Sequence, residues 1–254
     1  MTKMKISLAL LAAGIALCNT GRSDNVAVVP SEYANTPGTA EIGEAINGYN
    51  SASGQTLQYV LPAIDLAGLA GQNLTGMAFR LNLDYAPNLP QINYADFTVQ
   101  LSTFTGDYLS TTFADNLLDP TTVRTGAFSF DAGAFPTDGG GATPNRFGDF
   151  ITFNNTYAYG GGNLLVTIRH AQPTGAEDSS YWSVDAYSSG FEAAIGHDAN
   201  ATVASTLWGE SPITEFTTSA LTPDGIVATP EPSTLALAGM GGVGGLLLFR
   251  RRKS

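Results

Sequence analysis

The chain has 254 residues, a single cysteine and a formal net charge of −11, which leaves room for one domain of about 200 residues once processing segments at the ends are set aside. Seven of the eleven basic residues sit at the ends, at Lys3, Lys5, Arg22, Arg250, Arg251, Arg252 and Lys253. Residues 23–229 therefore hold only Arg80, Arg124, Arg146 and Arg169 against twenty-one carboxylates, a net −17. So acidic a domain, with no Lys/Arg cluster, is repelled by phosphate backbones, which excludes nucleic acid as a partner. Cys18 lies in the N-terminal apolar stretch, so the middle of the chain has neither a disulfide framework nor a thiolate metal site.

Residues 1–23 read as a secretory signal peptide. Lys3 and Lys5 form a basic start, and Ile6 to Leu17 is an apolar core of twelve residues, too short to span a bilayer as a helix. Two cleavage points fit: Ala16-Leu17-Cys18, with small residues at the −3 and −1 positions, and the later Gly21–Ser23. A lipoprotein reading would acylate Cys18, but Leu17 is bulky where that processing takes a small residue.

Residues 24–55 carry few apolar residues in regular order and read as an irregular lead-in. Beyond them alternation with period two recurs. Met77, Phe79, Leu81 and Leu83 alternate with Ala78, Arg80, Asn82 and Asp84; Phe97, Val99 and Leu101 with Thr98, Gln100 and Ser102. Leu164, Val166 and Ile168 repeat the pattern, as do Trp182, Val184 and Ala186. Residues 56–61, 125–130, 150–153 and 202–208 are further strand candidates. Turn signals separate these runs at Ala86-Pro87-Asn88, 137–144, Gly160-Gly161-Gly162-Asn163 and Pro173-Thr174-Gly175. No stretch keeps a 3.6-residue period with caps. The expected fold is all-β, an antiparallel β-sandwich of jelly-roll type over residues 24–228, between an N-terminal signal helix and a C-terminal transmembrane helix. No short Thr-rich repeat points to a flat ice-binding solenoid.

Catalytic constellations are missing from this middle region. His170 and His197 form no close-spaced ligand pair, and there is no nucleophile elbow, phosphate loop or dinucleotide fingerprint. With so many carboxylates, some pair meets any spacing a glycosidase would need, so spacing selects none. The expectation is a non-enzyme without a cofactor. Calcium is the form the acidic hypothesis takes, with Asp131, Asp138, Asp149, Glu177, Asp178 and Asp185 as oxygen ligands. Tyr181, Trp182 and Trp208 would make a sugar-stacking platform if exposed, although alternation turns Trp182 inward.

The last segment, 229–254, has three parts. Pro230-Glu231-Pro232-Ser233 is an extended stretch that cannot continue a helix. Residues 233–249 are uncharged for seventeen positions, the lower limit for spanning a hydrocarbon core of about 30 Å. Arg250, Arg251, Arg252 and Lys253 then hold the end on the cytoplasmic side. Proline motif, glycine-interrupted apolar span and basic end together resemble the PEP-CTERM sorting signal, with Thr229 where that family often has Val. The same tail has also carried a name referring to ice-binding proteins, which attaches no activity to this chain. The resemblance implies recognition and cleavage near the proline motif by exosortase, a membrane transpeptidase of bacteria that make exopolysaccharide and biofilm matrix. The alternative is an uncleaved tail anchor. Ser110–Asn116 (STTFADN) and Gly161–His170 (GGNLLVTIRH) look like segments of the secreted β-rich domains that precede such tails. The expected protein is an exported surface or matrix component. Its partners would be exosortase, the secretion machinery and the membrane through its tail, with an exopolysaccharide-binding module or a secreted hydrolase as alternatives.

Overall fold

The computed structural model describes residues 25–43, 46, 53–83, 89–175 and 182–220. The expected signal helix, sorting motif, transmembrane helix and basic end all lie outside these residues. Among the described residues no helix is long and apolar enough to cross a membrane.

The regular structure of the described residues is almost entirely antiparallel sheet. In chain order the strands are β1 (Asn25–Val29), β2 (Ala40–Gly43), β3 (Gln55–Leu61), β4 (Gln72–Ala78), β5 (Ile92–Tyr94), β6 (Phe97–Phe104), β7 (Leu118–Arg124) and β8 (Phe128–Phe130). There follow β9 (Ile151–Tyr159), β10 (Asn163–His170), β11 (Ser183–Tyr187), β12 (Ala193–Gly196), β13 (Thr206–Trp208), β14 (Ser211–Pro212) and β15 (Thr214–Ala220). Short 3-10 turns at Ser31–Tyr33, Ala67–Leu69 and Phe113–Asn116 interrupt them. A four-stranded sheet has the order β1-β15-β4-β9 and a six-stranded sheet the order β13-β12-β3-β10-β6-β7. Two smaller sheets, β14-β11-β2 and β5-β8, flank these.

Both large sheets feed one apolar core. Val29, Leu74, Met77, Ile151 and Phe216 come from the four-stranded sheet, and Leu57, Tyr59, Phe97, Val99, Leu101, Val166 and Ile168 from the six-stranded one. The period-two pattern explains which residues enter, because alternate side chains of a strand point to opposite faces. In β10, Leu164, Val166, Ile168 and His170 face this core, as the alternation predicts. Leu165 turns to the other face and joins a second cluster with Val60, Phe104, Leu109, Phe113 and Ala194.

That second face explains why β3 is buried along its whole length. Ser110–Asn116 folds across it and seats Phe113 among the apolar residues, a burial worth about 2–3 kcal/mol. The polar side chains beneath it are tied in: Gln58 Nε2 donates to the Phe113 carbonyl at 3.2 Å, and Asn116 Nδ2 donates to Gln58 Oε1 at 2.9 Å. Asn116 also closes its own turn, donating to the Ser110 carbonyl and accepting from the Ser110 N–H. Arg169 donates to Thr56 and to the Ala199 and Ala201 carbonyls, pinning the neighbouring loop. STTFADN is thus a plug over the sheet.

The expected strands are present with shifted ends. β4 begins at Gln72, five residues before the alternation starts, and stops at Ala78, so Arg80 is not on a solvated strand face; it is 1% exposed. Within residues 24–55, expected as an irregular lead-in, β1 and β2 both pair into sheets. β7, β12 and β15 escaped the alternation test. β7 contains Pro120 and little apolar content, and β15 is mostly Thr and Ser. Gly54 is required where it stands: its φ is +86° and a Cβ would lie 2.1 Å from the His170 carbonyl oxygen.

Candidate functional site

A cleft of about 610 Å³ opens where β4 ends, lined by Ala34, Asn35, Arg80, Thr143, Pro144, Asn145, Arg146, Phe147 and Glu215. Arg80 forms its charged floor. Burying a guanidinium demands compensation, and Arg80 has it: Nε donates to Asp185 Oδ2 at 2.7 Å and Nη2 to the Thr36 carbonyl at 2.7 Å. Its guanidinium carbon lies 5.1 Å from the Phe147 ring centre, within cation–π range.

Asp185, on β11, takes two further bonds from the Gly38 N–H at 3.0 Å each. Gly38 permits that approach, because a Cβ there would sit 2.1 Å from the Ala186 carbonyl oxygen. Burial pushes the Asp185 carboxyl above its ordinary range, with the Gly38 bond and Arg80 partly opposing the rise. Asn145 shapes the opposite wall: Nδ2 donates to the Leu81 carbonyl and Oδ1 accepts from the Gly139 N–H. At the rim Arg146 pairs with Asp138, whose carboxyl is held below its usual range by hydrogen bonds from Arg146.

With Arg80 matched by Asp185 and Arg146 by Asp138, the carboxylate left over in the lining is Glu215. Burial raises its pKa, and Arg80 partly opposes this. The cleft therefore offers arginine, amide and aromatic groups, with one carboxyl beyond those that the arginines match. A second, smaller hollow of about 390 Å³ is lined by Asn93, Tyr94, Arg124, Ala127, Phe128 and Ser129. There Arg124 lies 4.6 Å from the Phe128 ring centre and donates to the Thr152 and Ala127 carbonyls.

The residues singled out in the sequence scatter. The sorting motif Pro230, Glu231, Pro232 and Ser233 and the basic end Arg250, Arg251, Arg252 and Lys253 lie outside the described residues, as do Glu177, Asp178 and Tyr181. Asp185 belongs to a strand and an ion pair rather than a loop, Asp138 belongs to Arg146, and Asp131 lies 3.5 Å from Gln91 Nε2. No group of three His, Cys, Asp or Glu among the described residues is arranged to hold a metal. Trp182 is fully buried, as the alternation predicts, and Trp208 is half-buried against the core.

His170 is 2% exposed, between Tyr94 at 5.0 Å and Phe97 at 5.9 Å between ring centres, with Gln55 as its cross-strand neighbour. Burial lowers its pKa to about 4, partly offset by the bond between Nδ1 and the Ala171 carbonyl. The cleft residues Arg80, Phe147 and Glu215 were not legible as a site. The available signal was Arg80 itself, a charge between Phe79 and Leu81 that a buried run tolerates only with a partner.

These features define an acidic, antiparallel β domain with a polar cleft just beyond the end of β4. Residues 228–253 match the PEP-CTERM protein-sorting motif, which implies processing by exosortase and export toward the cell envelope or surface. No curated protein and no solved structure matches the chain.

Proposed function

We propose that this protein is a non-catalytic surface or matrix component, exported by its N-terminal signal and sorted through its C-terminal motif. Its jelly-roll sandwich binds neutral carbohydrate of the exopolysaccharide through the Arg80–Glu215 cleft. The observation that carries the reading is the sorting motif at 228–253 directly behind a β domain that ends at Ala220. The jelly-roll reading rests on strand order: β1-β15-β4-β9 faces β3-β10-β6-β7, the interleaving produced by two Greek keys. In it β2, β5, β8 and β11–β14 are additions. The carbohydrate reading draws support from the cleft, where the Phe147 face and the donors and acceptors around it match a sugar ring and its hydroxyls. The candidate platform at Trp182 does not contribute, because that ring is buried.

A glycan array probed with the surface protein tests the binding claim. Binding to neutral glycans, lost in Phe147→Ala and Glu215→Ala, is the expected outcome. An array that stays blank, or binding that both substitutions leave unchanged, rejects the cleft as the site.

A further inference from the structure

We propose that Asn200 is an N-glycosylation acceptor, and that the glycan it carries shields the open edge of the six-stranded sheet at β13. The inference rests on the reading above that the chain is exported, because asparagine-linked glycans belong to surface loops of exported proteins.

Three Asn-x-Ser/Thr triplets occur in the sequence: Asn73-Leu74-Thr75, Asn154-Asn155-Thr156 and Asn200-Ala201-Thr202. Such a triplet is an acceptor where it lies on an exposed loop, and the fold separates the three. Asn73 is half-buried within β4, and the Thr75 hydroxyl is spent on Thr217 Oγ1 at 2.8 Å. Asn154 is exposed but lies within β9, where its Oδ1 accepts from the Thr125 N–H at 3.0 Å. Asn155 and Arg124 cross the same seam to the Thr122 and Thr152 carbonyls, so a glycan there would crowd the junction of β7 and β9.

Asn200 stands outside any strand, in the turn between β12 and β13, and both it and Thr202 are exposed. The backbone around it is anchored. Arg169 Nη1 donates to the Ala199 and Ala201 carbonyls at 3.2 and 3.1 Å, and the Phe113 N–H donates to the Thr202 carbonyl at 3.0 Å. The N–H of Asn200 closes a turn on Asp198 Oδ1 at 2.7 Å. Its carboxamide takes part in none of these bonds, so a bulky adduct on it meets solvent and leaves the anchoring intact. Asp198 also sets a carboxylate two residues before the acceptor, where a basic groove of a transferase can read it. The corresponding residues at the other triplets are Gly71 and Thr152. The donor class is an oligosaccharide linked to a lipid pyrophosphate. Asn200 Nδ2 bonds to the anomeric carbon, and the bond from that carbon to the pyrophosphate oxygen breaks. Its electron pair leaves on the lipid pyrophosphate, and one Nδ2 proton passes to a base of the transferase.

The neighbourhood of Asn200 gives the glycan a task. β13 and β7 are the two edges of the six-stranded sheet. An open edge is a template for pairing with another chain, and proline or charge on the edge strand is a common guard against it. β7 carries Asp119, Pro120 and Arg124. β13 carries neither proline nor charge, and residues 199–208 hold no charged side chain at all. Val203 and Leu207 are nevertheless 54% and 38% exposed. Asn200 lies three residues before Val203, at most about 10 Å along the chain. A bulky, solubilising glycan at that point stands over the unguarded edge.

The test is peptide mass spectrometry of the protein recovered from the cell surface, as wild type and with Asn200→Gln, Thr202→Ala or Thr202→Ser. A glycan mass on the peptide holding Asn200 is expected in the wild type and in Thr202→Ser, which keeps the hydroxyl. It should be lost in Asn200→Gln and in Thr202→Ala, and the peptides holding Asn73 and Asn154 should be bare. The Thr202 pair keeps the result independent of any effect of Asn200→Gln on folding. A bare Asn200 in the surface protein overturns the proposal, as does a glycan that survives Asn200→Gln or one carried on Asn73 or Asn154 instead. Sedimentation of the same proteins reads the shielding. Asn200→Gln should shift the protein toward larger species than the wild type forms, and an unchanged distribution overturns that role of the glycan. If the chain does not reach the surface at all, the export reading fails and this proposal falls with it. A surface chain with a bare Asn200 rejects this proposal alone.

Discussion

His170 offers a direct energetic test of the core. Its imidazole is buried between Tyr94 and Phe97, and burial lowers its pKa from 6.5 to about 4. The unfolded chain therefore binds a proton at a pH where the folded chain does not, and this part of the stability is lost as the pH falls from 6.5 to 4. At about 1.4 kcal/mol per pKa unit, the full loss is about 3 kcal/mol. The perturbation is His170→Leu, which removes the titrating group and keeps an apolar side chain. Urea unfolding of residues 24–228 with and without the substitution, at pH 7, 5.5 and 4, reads the difference. The wild type should lose about 3 kcal/mol more than the variant between pH 7 and pH 4. Asp185 and Glu215, whose folded pKa values are raised, act in the opposite sense: their contribution is present at low pH and lost as the pH rises. They are common to both proteins and cancel in the comparison. A wild-type-minus-variant difference that does not change with pH would refute the burial argument for His170.

The ion pair beneath the cleft gives a second prediction. Arg80→Met leaves Asp185 buried without its cation and should cost about 3–5 kcal/mol in urea unfolding, while Arg80→Met with Asp185→Leu should cost less than the single change. Gly38→Ala drives a Cβ to 2.1 Å from the Ala186 carbonyl oxygen and should lower the melting temperature strongly, whereas Gly140→Ala, with open space around it, should leave the melt nearly unchanged. Phe113→Ala empties the centre of the second cluster and should cost about 3–5 kcal/mol. Asn116→Ala should cost about 1–3 kcal/mol by leaving Gln58 Oε1 without its donor and opening the turn that Asn116 closes on Ser110.

The general form of the fold was legible because burial on one face writes a period of two into the sequence. β6, β10 and β11 show that pattern, and His170, two residues after Ile168, lies on the same core face. The method failed where that signal is absent. β15 is a run of Thr and Ser around Phe216, and its membership in the sheet comes from pairing with β1 and β4, partners more than a hundred residues away. β3 is covered on both faces, so Gln58 and Thr56 look solvent-facing in the sequence and are buried in the fold. Trp182 was read correctly as core. The cleft was illegible for a related reason: Arg80, Phe147 and Glu215 lie more than sixty positions apart in sequence, and only the return of β15 beside β4 brings them together. The acidic residues misled in the opposite way. Asp138 and Asp185 look like cation ligands in a domain of net −17, yet each is matched to one of its four arginines.

The reading of the domain as a surface component depends on the C-terminal segment being a sorting signal.

Intact-mass analysis of the protein recovered from the cell surface tests that claim most directly. A mature chain ending near Thr229–Pro232, without the apolar span and without Arg250–Lys253, is the predicted result. A surface protein whose mass still includes Arg250, Arg251, Arg252 and Lys253 would contradict it.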